Sequence, residues 1–152
     1  MTDRRGILDH PLLGRLNSLE FERDDFLVFG SAPLMVHGLR SELGDLDVLA
    51  RGDAWKRAHR LGLPSTGKAT GSPAMHFWGG EIEVFDQWIS AEWQFDHLAS
   101  RADVIEGVRF AGLQDVLAYK AELMRPKDLA DIGALRKLRI AEPGKPAHGT
   151  DC

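Results

Sequence analysis

The chain has 152 residues, 28% of them charged and 43% apolar, with a net charge of −4 and one cysteine, Cys152 at the last position. That is the size and balance of one soluble domain with a real core. It excludes a global basic field for nucleic acid or membranes, an apolar segment of membrane-spanning length, an intrachain disulfide and a cysteine-based metal site.

The single cysteine and the lack of an apolar leader in the first ten residues point to a reducing, cytoplasmic setting. Positions 7, 8, 12, 13, 16 and 19 are apolar at helical spacing, and Pro11 fits only a first turn, so a helix begins at His10 or Pro11. Phe26-Leu27-Val28-Phe29 reads as a buried strand. Gly30-Ser31 then breaks it. Glycine permits close backbone approach, Ser31 is suited to cap a short helix from Ala32, and the free N–H groups behind such a turn attract an anion. Asp45-Leu46-Asp47-Val48 reads as a second strand, with both aspartates on one face and both apolar residues on the other. Two such carboxylates repel unless a cation lies between them, and Mg²⁺ carried by phosphates answers that need.

Arg51-Gly52 makes a turn, Asp53 an N-cap for a helix over 54–61, and Gly62 and Pro64 its end. The Gly-, Ser- and Thr-rich stretch 63–73, with Lys68, reads as a surface loop. Strands are expected over 75–78 and 81–85, joined by Gly79-Gly80. The second repeats the earlier layout, an acid between apolar residues in Ile82-Glu83-Val84. Parity puts Glu83 on the polar face and Asp86 with the apolar residues.

A helix follows over 91–99, with Trp88, Trp93 and Phe95 read as core rather than as a platform for a base. Two short extended pieces lie in 103–111 around Glu106-Gly107. A helix over 113–124 carries Lys120. Arg125-Pro126 breaks it, and another helix runs over 127–138. Lys127 and Asp131 are four apart, the spacing of a plain helical ion pair, and Asp128 suits a cap or a salt bridge to the preceding turn. His37 and His76 read as packing or surface residues. The domain spans 1–140, and 141–152 is a polar tail expected to be disordered.

Taken together, Gly30-Ser31, a helix, a hydrophobic-flanked Asp45-x-Asp47, and the distant phrase Lys120…Arg125-Pro126-Lys127-Asp128-Leu129-Ala130-Asp131 resemble the nucleotidyltransferase superfamily typified by DNA polymerase beta. The nearer likeness is to its small bacterial members, the minimal nucleotidyltransferases and the nucleotidyltransferase-type proteins of toxin–antitoxin pairs, and it covers roughly residues 20 to 140. The resemblance implies an α+β fold, a small mixed sheet flanked by helices with further helices at the C-terminus. It implies Mg²⁺ or Mn²⁺ held by Asp45, Asp47 and a third acid, here Glu83 with Asp86 as runner-up, these being also the catalytic residues. The family more often has aspartate at the third position. A nucleoside triphosphate is the implied co-substrate, with Gly30 and Ser31 cradling its β and γ phosphates, Lys120 contacting the triphosphate and Arg40 a further phosphate contact.

The expected reaction moves a nucleoside monophosphate onto a hydroxyl of RNA, a protein or a small molecule. The alternative is a nucleotide-binding protein with little or no turnover that acts with a small helical partner in a toxin–antitoxin pair. An RNA acceptor would use a basic patch of Arg57, Arg60, Arg136 and Arg139.

Overall fold

The computed structural model describes residues 6–67, 72–87 and 94–138. They form an α+β domain on one mixed sheet. Helix α1 is Pro11–Ser18, strand β1 Phe26–Phe29, α2 Ala32–Val36, β2 Leu46–Ala50, α3 Gly52–Leu61, β3 Leu63–Thr66, β4 Pro73–Phe77 and β5 Ile82–Phe85. Then come α4 Phe95–Ser100, β6 Asp103–Ile105, β7 Val108–Phe110, α5 Leu113–Leu123 and α6 Leu129–Lys137. The strand order is β3-β4-β5-β2-β1-β7-β6. The β2–β5 and β1–β7 pairs are parallel and the others antiparallel.

Alternation along the central strands divides the core in two. Val28, Leu46, Val48, Ile82 and Val84 face α1 and α3, packing on Leu12, Leu13, Leu16, Ala54 and Ala58. Leu27, Phe29, Leu49 and Phe85 face α4, α5 and α6, packing on Leu98, Val116, Leu117, Tyr119, Ile132 and Leu135. Each of the Val, Leu, Ile and Phe side chains contributes about 1.5–3 kcal/mol on leaving water. The ring of Phe29 meets Phe85 at 6.0 Å and Tyr119 edge-on at 6.1 Å. Because both faces of β1 are covered, its four residues are all apolar and all buried.

Several sequence expectations are corrected. The stretch 63–66, Leu-Pro-Ser-Thr, is the edge strand β3, not loop; it forms without a buried apolar face because β4 supplies its backbone partners. β2 begins at Leu46, whose N–H donates to the Glu81 carbonyl at 2.8 Å, so Asp45 precedes the strand. The β4–β5 connection is a 3-10 turn, Trp78–Gly80, with positive φ at Trp78, Gly79 and Gly80, rather than a two-glycine hairpin. The start of α1 at Pro11 is as expected, with the His10 ring accepting from Leu12 N. α3 starts at Gly52, so Asp53 lies in its first turn. The last helix is delayed by a 3-10 turn, Pro126–Asp128. The expected start of a helix near 91, the loop position Lys68, Trp88, Trp93 and the tail 141–152 lie outside the described residues. Among the described residues, no helix is long and apolar enough to cross a membrane.

Candidate active site

Where β1 ends, the chain turns through Gly30 at φ +75°, a left-handed conformation that favours glycine. A methyl group there would lie 2.8 Å from Asp47 Oδ2, so the missing side chain is what admits the carboxylate. Phe29 pairs with Asp47 across the β1–β2 ladder, which fixes this juxtaposition. From the other side, the buried Tyr119 hydroxyl donates to the Gly30 carbonyl at 2.8 Å. Gly30→Ala is therefore expected to cost about 1–2 kcal/mol from the backbone alone, measured by urea unfolding. It is also expected to displace the Asp47 carboxylate and abolish any metal-dependent nucleotide binding.

Asp47 sits beside Glu83 in the parallel β2–β5 register. The Asp47 carboxyl is pushed up to about 7, first by burial and then by the negative charges of Asp45 and Glu83, with Lys127 and Arg125 pulling the other way. Tyr119 is likewise pushed up, by burial and then by Asp47. Glu83 is buried and on the face that parity assigns it, whereas Asp86 is exposed past the end of β5. Asp45 acts on this cluster from the loop before β2. It does not share the strand with Asp47, as the alternation argument required, because the ladder begins one residue later.

Beside the acids lies a cleft of about 160 Å³ lined by Ser31, Arg40, Leu43, Gly44, Asp45, Lys120, Lys127 and Asp128. Pockets that enclose a whole small ligand run to ~300–1,000 Å³, so this one suits an anionic tail rather than an entire nucleotide. Its floor is an ion network. Lys120 Nζ reaches Asp128 Oδ1 at 3.1 Å, Asp131 Oδ2 at 3.3 Å and Ser31 Oγ at 3.2 Å. Arg40 Nη1 donates to both oxygens of Asp131, at 3.0 and 2.9 Å. Arg125 holds Asp128 through Nε at 2.7 Å and Nη2 at 3.0 Å, and its own N–H donates to the same carboxylate at 3.1 Å. Burial raises the Asp128 carboxyl, but hydrogen bonds from Arg125 and Lys120 outweigh it and hold the group below its ordinary value.

These contacts overturn three readings. Asp131 pairs with Arg40 and Lys120, not with Lys127, because α6 begins beyond Lys127 and aims Asp131 inward. Ser31 makes no side-chain cap on α2; its hydroxyl accepts from Lys120 instead. The arginine patch does not assemble, since α3, with Arg57 and Arg60, and α6, with Arg136, cover opposite faces of the sheet. Arg57 donates to the Leu19 carbonyl, and Arg139 is outside the described residues. His37 is a surface residue paired with Asp103.

Of the predicted residues, Gly30, Asp47 and Glu83 converge on one sheet face, with Asp45 at its rim. Ser31, Arg40 and Lys120 line the adjoining cleft, and Lys120 is 2% exposed and fully engaged. Lys127, Asp128 and Asp131, for which the sequence suggests structural roles, lie at the cleft: Lys127 and Asp128 line it, and Asp131 pairs with Arg40 and Lys120 in its floor. A hard cation suits the all-oxygen chemistry of Asp45, Asp47 and Glu83. Among the described residues, however, no three or more His, Cys, Asp or Glu side chains are gathered as metal ligands. The donors fit the ion in kind. Comparison of the chain with protein-family models, curated proteins and solved structures finds no match.

Proposed function

We propose that this protein has the nucleotidyltransferase fold and transfers a nucleoside monophosphate from a nucleoside triphosphate to a hydroxyl acceptor, using Mg²⁺ or Mn²⁺. The observation that supports this reading most is Asp47, a carboxyl raised to about 7 between two other acids, over a glycine with no side chain and beside a cation-lined cleft. Strong perturbation of one group by burial and specific charges, next to a cleft, is a mark of working sites.

Asp45, Asp47 and Glu83 are the residues that would hold the metal. When bound, divalent ions of this kind stabilise the attacking and leaving oxygens of an in-line displacement. In that displacement the acceptor oxygen bonds to the α-phosphorus, the bond to the bridging oxygen breaks and pyrophosphate leaves. Glu83 is the residue that would take the hydroxyl proton. Gly30 lets the Asp47 carboxylate pack against the turn, and the Ser31–Arg40 cleft receives the phosphate tail. Acceptors with an accessible hydroxyl, on RNA, a protein or a small molecule, are all compatible with this chemistry.

The test is direct. The protein is incubated with each labelled triphosphate, Mg²⁺ or Mn²⁺, and candidate acceptors, beside an Asp45→Asn/Asp47→Asn double variant. Transfer by the wild type alone is expected. Metal-dependent binding without transfer supports the second reading, a nucleotide-binding member of a toxin–antitoxin pair with a small helical partner. The observation favouring that reading is the neutralisation of Lys120 by Asp128 and Asp131. Absence of metal-dependent binding counts against both.

A further inference from the structure

Three cations, Arg40, Lys120 and Lys127, line the cleft, but they are not equivalent. An ammonium has three N–H donors. Those of Lys120 are matched by Ser31 Oγ, Asp128 Oδ1 and Asp131 Oδ2, and the side chain is buried. It has nothing left to offer a ligand without breaking a buried ion pair. Arg40 is tied by Nη1 to both oxygens of Asp131 and by Nε to the Glu42 carbonyl, so most of its planar fork is committed too.

Lys127 differs. It is exposed and makes no ion pair or hydrogen bond with another described residue, and its charge is felt at Asp47. The turn that carries it is nevertheless fixed. Pro126 opens the turn, and the buried Asp128 is clamped by Arg125 and Lys120. A rigid turn thus presents an ammonium with no ion-pair or hydrogen-bond partner among the described residues to the cleft that it lines together with Asp45.

We infer that Lys127 is the residue that grips the phosphate chain of the triphosphate, and that Lys120 is a strut that positions Ser31, Asp128 and Asp131. The assignment rests on the nucleotidyltransferase reading and specifies which side chain meets the tail. A lysine binds phosphate as a point charge and needs no fixed fork, which suits an exposed residue at a cleft mouth.

The experiment titrates inorganic tripolyphosphate and ATP, each with Mg²⁺, into wild type, Lys127→Gln, Lys127→Arg and Lys120→Met, and records the melting temperature of each. Wild type is expected to bind both. Lys127→Gln is expected to lose about tenfold in affinity for both, with an unchanged melting temperature, and Lys127→Arg to retain binding. Lys120→Met is expected to melt at lower temperature. Wild-type affinity in Lys127→Gln overturns the inference while leaving the nucleotidyltransferase reading intact. So does loss of binding in Lys120→Met with an unchanged melting temperature. No binding of either ligand by the wild type overturns the nucleotidyltransferase reading and the inference with it.

Discussion

Asp47→Asn is expected to make the metal-free protein more stable at pH 8 while abolishing nucleotidyl transfer. The sign follows from the raised carboxyl. Unfolded, Asp47 loses its proton near 3.8; folded, near 7. Between those values the folded protein holds a proton that the unfolded chain has released, so wild-type stability declines as pH rises through this window. Above it the loss is complete, at most roughly 4 kcal/mol for a shift of this size. Asparagine is neutral throughout and escapes the loss. The gain in Asp47→Asn should therefore be largest above pH 7, shrink to less than half at pH 5 and vanish below 4, as read by urea unfolding across pH. Mg²⁺ with a nucleoside triphosphate should raise the wild-type melting temperature and leave that of the variant unchanged, because only a ligand that prefers the folded state stabilises it. A wild type less stable than its isostere marks a side chain kept for chemistry rather than for packing.

Asp128→Ala should do the opposite, costing about 3–5 kcal/mol, because it leaves the buried Lys120 ammonium without one of its two carboxylates. The folded Asp128 carboxyl titrates below its ordinary value, so its contribution is present above about pH 4 and is lost as the pH falls. The gap between wild type and variant should narrow in acid. The double variant Lys120→Met/Asp128→Leu removes both buried charges, and it should recover most of the stability lost in Asp128→Ala. Urea unfolding of the two singles and the double measures this directly. Strictly additive losses would mean that the pair does not act as a unit.

Much of the candidate site is legible in the sequence. Apolar runs located β1, β2 and β5, and the two-residue period placed Glu83 on the face of Asp47, where the parallel register has it. The conformational freedom of glycine located the turn at Gly30. What escaped was set by contacts between distant segments. No local rule says that Asp131 reaches Arg40, 91 positions earlier, rather than Lys127 one turn away. Periodicity cannot tell whether a ladder starts at Asp45 or at Leu46, because one backbone bond to Glu81 decides it. The exposed strand β3 has no apolar alternation to reveal it. Of the arginines that suggested a patch, Arg57 and Arg60 on α3 and Arg136 on α6 lie on opposite faces of the sheet, a division that composition does not encode.

The bonds from Tyr119 to Gly30 and from Arg40 to Asp131 join residues about ninety positions apart. On a ribosome, the first acidic strand emerges long before the helices that complete the cleft. Domains fold as units when enough of the chain is out. A nascent chain that has passed Asp47 but not Asp131 thus carries the acidic strand without the helices that arrange the cleft, and the cleft assembles only once Asp131 has emerged.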